Sequence, residues 1–304
     1  MTREIQLIPA HQINQIKWNA CIDQSENGRI YSNTNYLDHL ADNWSGIIID
    51  DYAAVMPIPW KKKWGIRYAY VPPFTQQLGV SGHIDFFTAQ KSLERLKQDF
   101  RYGDFAFNSS NHFIPELFSD HRKRKNRIIN LNQPYDTLSA EFSGDAQRNI
   151  RQALKHSLHW QDGNTEEIIE RFREQMKYVG APQKETMERF KKICQTFQLT
   201  RQVICKCVTD KENQLLAAIV ALKDNRRIYN LLNLTTPEGR KKSGNYFLFS
   251  QLLQEWANQP LWLDLEGSEL PGVQSFYTLW GGEWETYFWV HHNRLPLPLR
   301  WIKR

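Results

Sequence analysis

Two carboxylates and a glycine loop near the end of the chain have the types and spacing to do chemistry. Asp264 and Glu266 alternate with Leu261, Leu263 and Leu265 in the run LWLDLE, so in a strand the leucines share one face and Trp262, Asp264 and Glu266 the other. In a cleft, mutual repulsion and partial burial would raise one carboxyl pKa and give a general base usable near neutral pH. On an open face the same pair would be two solvated acids. Upstream, Gly239, Arg240, Lys241, Lys242, Ser243, Gly244 and Asn245 fall between a strand and a helix. Backbone N–H groups there can point at an anion, and the helix dipole favours negative charge at the same place. The segment is not a Walker loop, because Lys242-Ser243 precedes the second glycine. It also fits a tight polar turn with a helix N-cap.

The elements that must position these groups form a repeated plan. Helices are expected near 13–23 and 33–42, then strands at 45–50 and 53–58, a charged turn at 60–64, a strand at 66–71, a helix at 86–98 and a strand at 104–108. The second half reads as helices near 146–156, 166–178 and 184–196, strands at 202–208 and 215–222, a charged turn at 223–227, a strand at 228–234, the glycine loop, a helix at 246–256, a strand at 261–266 and a helix around 272–280. Ala53-Ala54-Val55-Met56 even matches Ala217-Ala218-Ile219-Val220 in type. An internal duplication accounts for this, with halves 1–130 and 131–304. The basic run His121 to Arg127 at the boundary reads as a solvated connection, with a phosphate or nucleic-acid contact as the other reading.

Bulk properties narrow the function classes. At 304 residues the chain suits two domains, and 41% hydrophobic with 24% charged residues is a globular balance. No apolar run approaches the roughly 20 residues of a membrane span, and no secretory or lipidation signal is seen, so the expected place is the cytoplasm. A net charge of +6 concentrated in two short runs suits an anionic small ligand or carrier better than an extended nucleic-acid face. No metal site is expected. Cys205 and Cys207 share one side of a strand without a further soft ligand nearby, and His291 and His292 face opposite ways.

The second half, through Lys241 to Tyr246, the carboxylate strand and Phe276-Tyr277, resembles the GCN5-related N-acyltransferase (GNAT) fold. The whole chain resembles the FemAB-related or BioF2-like branch, in which two such domains are fused. That resemblance implies a mixed α/β fold of two tandem GNAT-like domains, each a mixed, largely antiparallel sheet flanked by helices. In the family an Arg/Gln-x-x-Gly-x-Gly/Ala loop holds the pyrophosphate of coenzyme A; here Lys241 and Tyr246 stand in its first and last places. The family's last helix carries a tyrosine four residues before a glycine, placed to protonate the leaving group, and Tyr277 stands four before Gly281.

The first half has its own version of the loop, Gln76 to Ser81, after Pro72-Pro73-Phe74. It reads as a wall of a cleft together with Trp44, Phe74, Gln76 and Gln77, with Asn233 and Ser268 from the second half; a second phosphate site is the alternative. The resemblance therefore implies an acyltransferase moving an acyl group from an acyl-CoA co-substrate to an amine by direct transfer. Glu266 or Asp264 would be the base, Tyr277 the acid, and residues 239–245 the holder of the carrier's phosphates. The alternatives are an aminoacyl-tRNA donor, as the likeness to FemAB proteins implies, and a binding protein that kept the fold without turnover.

Overall fold

A computed structural model describes residues 3–176, 184–267 and 271–297. Among these, thirteen strands follow in chain order: β1 (Ile5–Pro9), β2 (Asn43–Ile49), β3 (Ala54–Lys63), β4 (Ile66–Ala69), β5 (Ser81–Gly82), β6 (Tyr102–Phe107), β7 (His121–Asn130), β8 (His159–Asp162), β9 (Val203–Thr209), β10 (Leu215–Lys223), β11 (Arg227–Thr235), β12 (Trp262–Asp264) and β13 (Glu283–Asn293). The α-helices are α1 (Gln15–Gln24), α2 (Thr34–Leu40), α3 (Phe86–Asp99), α4 (Ile114–Leu117), α5 (Tyr135–Ala140), α6 (Gly144–Ala153), α7 (Thr165–Met176), α8 (Lys184–Gln198), α9 (Pro237–Lys241), α10 (Gly244–Trp256) and α11 (Pro271–Tyr277). None is long and apolar enough to cross a membrane among the described residues.

The chain divides into two compact units, one from residues 1–124 and 286–304 and one from residues 125–285. In the first, β1, β2, β3 and β4 pair antiparallel in succession, β4 meets β6 parallel at Ala69 and Gly103, and β6 pairs antiparallel with β13 from Phe288 to Asn293. In the second, β8, β9, β10 and β11 pair antiparallel, β11 runs parallel to β12, and β12 pairs antiparallel with residues 128–130 of β7. Each sheet is thus mixed and largely antiparallel, with one parallel contact between its fourth and fifth strands. The sixth strand of each comes from a distant part of the chain. The expected division at 130/131 differs from this grouping at both ends: the chain leaves the first unit inside β7, and residues from 286 onward return to it because β13 pairs with β6.

Apolar alternation builds both cores. Ile47, Ile49, Met56 and Ile58 gather with Leu93, Leu96, Phe105, Phe107 and Val290 in the first unit. In the second unit Ala217, Ile219 and Ala221 of β10 share a core with Leu248, Phe249 and Leu252 of α10 and with Leu261, Leu263 and Leu265.

Several elements differ from the sequence expectation. Trp60–Lys63 continues β3 and the turn falls at Trp64-Gly65, while the basic run 121–127 is strand rather than connection. Its cations stack on aromatic rings: Arg124 lies 3.9 Å from the Trp289 ring centre in the first unit, and Arg127 4.9 Å from that of Trp284 in the second. The short strands β1 and β8 have no counterpart in the sequence reading; each pairs at the end of its unit's strand order.

Candidate active site

In the second unit the parallel ladder between β11 and β12 lasts only from Arg227–Tyr229 against Trp262–Asp264. Beyond it β11 stays with β10 as far as Thr235, with a register slip that leaves Leu231 extra, while the chain after β12 turns away. Glu266 makes that turn in the left-handed region, at φ 54°. Strand alternation therefore ends before Glu266. β12 thus ends beside the middle of β11, and the two strands part after Tyr229 and Asp264.

The leucines 261, 263 and 265 are in the core, as the alternation predicts, and Asp264 faces the other way but is buried. Its Oδ1 accepts from Asn126 Nδ2 at 2.7 Å and from the Glu266 backbone N–H at 3.2 Å, and its Oδ2 accepts from Arg227 Nη1 at 3.1 Å. Arg227 also forks onto Glu285, with Nη1 to Oε2 at 3.0 Å and Nη2 to Oε1 at 2.5 Å. Burial works against the Arg227 charge, but the bonds to Glu285 and the charge of Asp264 outweigh it and raise its pKa. Burial pushes the Asp264 carboxyl up, with Glu285 adding to the push and Arg227 and Asn126 pulling it back. Asp264 is thus committed to an ion-pair network that holds β12 in place.

Glu266 stands differently. The residue is part-exposed, while its Oε1 is buried. Burial, followed by the charge of Glu285, raises its carboxyl well above the ordinary range. Tyr277, at the end of α11, is buried against Phe249 and Phe276, and its hydroxyl accepts from Asn230 Nδ2 at 2.8 Å. Burial raises its phenol pKa, and the nearby Glu266 charge adds to the rise. The structure therefore brings Glu266, Tyr277 and Asn230 together where β11 and β12 part.

The glycine segment is not an open loop. Thr236 caps α9 by accepting the Gly239 N–H at 3.0 Å, and the N–H groups of Arg240, Lys242 and Ser243 bond to the carbonyls of Thr236, Glu238 and Arg240. Lys242 pairs with Asp210 at 2.9 Å and Lys241 with Glu238 at 3.1 Å. Arg240 donates to the Thr235 carbonyl at 3.0 Å. A Cβ at Gly239 would overlap the Leu216 carbonyl, so this glycine serves helix-to-strand packing. Ser243, at φ 55°, bonds Asn149 at 3.1 Å and opens α10, where Asn245 accepts from Asn233 at 3.2 Å.

The remaining expected site residues lie in the first unit or outside the described residues. Trp44 is a core residue, edge-on to Trp18 and bonded through Nε1 to Asp38 at 2.7 Å. Phe74, at φ 56°, accepts the Tyr36 hydroxyl through its carbonyl. Gln77 is fully buried, bonded to Gln76 at 3.1 Å and to the Ser109 N–H at 3.1 Å. Ser268 lies outside the described residues. Sequence reasoning misses Arg227, Asn126, Glu285 and Asn230, which meet the carboxylate strand from distant parts of the chain and leave no local signal.

No family model matches the sequence, and no curated protein matches it significantly. Solved structures share this fold. It is similar to FemX over 100% of both chains, at 12% identity and a TM-score of 0.69. It is also similar to L-PGS from Bacillus licheniformis over 94% of each chain, at 13% identity and a TM-score of 0.55. A conserved protein of unknown function from Bacteroides thetaiotaomicron matches at 10% identity and a TM-score of 0.61, over 92% of this chain and 98% of that one.

Proposed function

We propose that the protein is a direct-transfer acyltransferase of the FemAB-like type, moving an aminoacyl group from tRNA to an amine. The observation that carries the reading is the Glu266 carboxyl, its Oε1 buried, close enough for its charge to act on the buried phenol of Tyr277. Glu266 takes a proton from the attacking amine, the amine nitrogen bonds to the acyl carbon, and the carbon–oxygen bond to the carrier breaks. Tyr277 supplies the proton that the departing oxygen needs. Asp264, held by Arg227 and Asn126, positions the backbone of Glu266 through its N–H.

Lys241 and Lys242 are paired with Glu238 and Asp210, which leaves them less available to a pyrophosphate and supports this donor over acyl-CoA. The fold shared with FemX over the whole chain supports the same choice. The test is release of the acyl group from charged tRNA, against release from acetyl-CoA, with a panel of amino-acid amines. Amine-dependent release from charged tRNA alone is expected. Release from acetyl-CoA alone would overturn the donor, and release from neither would favour a binding protein.

A further inference from the structure

We propose that Asn230 is a positioning residue for Tyr277: its side-chain N–H fixes the direction of the phenol and steadies the phenolate left when Tyr277 gives its proton to the departing oxygen. The role rests on the reading of Tyr277 as the acid. Asn230 stands on β11, one residue past the end of the parallel ladder with β12 and just before the register slip against β10. A slip of that kind re-aims the side chains beside it. Asn230 is buried, and its Nδ2 lies 2.8 Å from the Tyr277 hydroxyl oxygen and 3.5 Å from the Leu265 carbonyl oxygen. A carbonyl can only accept, so the amide nitrogen, and not Oδ1, faces both oxygens.

The pair sits in an apolar setting. Tyr277 shares a core with Leu263, Leu265 and Phe249, and Asn230 Oδ1 is buried with no hydrogen-bond partner. A buried amide satisfied at one end only costs stability that an apolar side chain in its place would not. What it supplies is a donor to the phenol. Because the phenol oxygen accepts from Asn230, its own O–H is left to point at another acceptor. Burial, then the Glu266 charge, raises the Tyr277 pKa, and the bond from Asn230 opposes that rise. In the step the phenol O–H bond breaks, the proton goes to the departing oxygen and the electron pair stays on the phenolate. An amide N–H holds a phenolate more strongly than a neutral phenol. The proton that Glu266 takes from the amine then restores the phenol, so the step balances.

Two measurements test the role, both with Asn230→Leu. In the full chain labelled with difluorotyrosine, whose phenols titrate at lower pH than tyrosine, the Tyr277 fluorine signal is assigned by its loss in Tyr277→Phe. Its titration midpoint should rise by about one pH unit in Asn230→Leu, because the phenolate loses its donor. An unchanged or lower midpoint would overturn the proposal. In single turnovers of charged tRNA with an amino-acid amine, Asn230→Leu should slow transfer about tenfold in the wild-type background and leave Tyr277→Phe no slower than it already is. An equal loss in both backgrounds would mark Asn230 as structural and overturn its role while leaving Tyr277 as the acid. No transfer, or a rate unchanged by Tyr277→Phe, would instead overturn the reading of Tyr277 and the role of Asn230 with it. If Asn230→Leu does not fold, Asn230→Ala serves both measurements.

Discussion

In the first unit the space beyond the single parallel contact is closed by the chain itself, and in the second it is left for side chains. Once β4 ends at Ala69, Leu78 moves in beside β6: its N–H bonds the Ala106 carbonyl at 2.8 Å and its carbonyl accepts the Asn108 N–H at 2.9 Å. Ser81 and Gly82 then pair with Val55 and Ala54 of β3. Gly79 permits the close approach, since it sits at φ 84° and a Cβ there would strike Asn111. The segment that reads in the sequence as a cleft wall, with a phosphate loop as alternative, is a plug. The second unit places Asn230, Glu266 and Tyr277 where β11 and β12 part. One strand plan is thus filled by backbone in one unit and by side chains in the other, depending on the segment that follows the fourth strand.

The largest effect on stability should come from breaking the network around Asp264. Arg227→Met leaves Asp264 and Glu285 buried without their counter-charge and should cost about 3–5 kcal/mol in denaturant unfolding. In the plug, Leu78→Ala should cost about 2–5 kcal/mol by cavity formation. It should leave transfer activity intact at a temperature where the variant is folded; lost activity would place the first unit's plug in the chemistry. Tyr277→Phe keeps the ring packing and removes the hydroxyl that accepts from Asn230, so kcat should fall about 10²-fold and stability by about 1–3 kcal/mol.

A smaller effect follows from the sign of the Glu266 shift. Its native pKa is raised, so the folded chain keeps a proton that the unfolded chain loses above about pH 4.3. Its contribution to stability therefore falls as pH rises through that range, and it stays low above the native pKa. Glu266→Gln cannot ionise. It should unfold at a higher temperature than wild type at pH 8 and at a similar one near pH 4; a lower Tm at pH 8 would contradict the burial of the charge.

Much of the fold is legible in the sequence because alternation and apolar periodicity are local. The leucines 261, 263 and 265 can be assigned to one face, and the central strands β3 and β10 match in type without any knowledge of their pairing. Glu266 is legible as a residue but not as a geometry, because its left-handed backbone ends the alternation that would place it with Asp264. The division of labour between those acids depends on Arg227, Asn126 and Glu285, whose meeting is set by strand order. Helix α9 reads as loop on its glycine, although Thr236 before Pro237 is a cap signal. The basic run reads as solvated because its aromatic partners lie on β13, far along the chain.

The most direct test of the central claim is the single-turnover rate of acyl transfer from charged tRNA to an amine, followed against pH in wild type and Glu266→Gln. With Glu266 as the base, the wild-type rate rises with pH through a midpoint above the ordinary glutamate range, and the variant is about 10²–10⁴-fold slower without that rise. A variant with the wild-type rate and the same pH profile would contradict it.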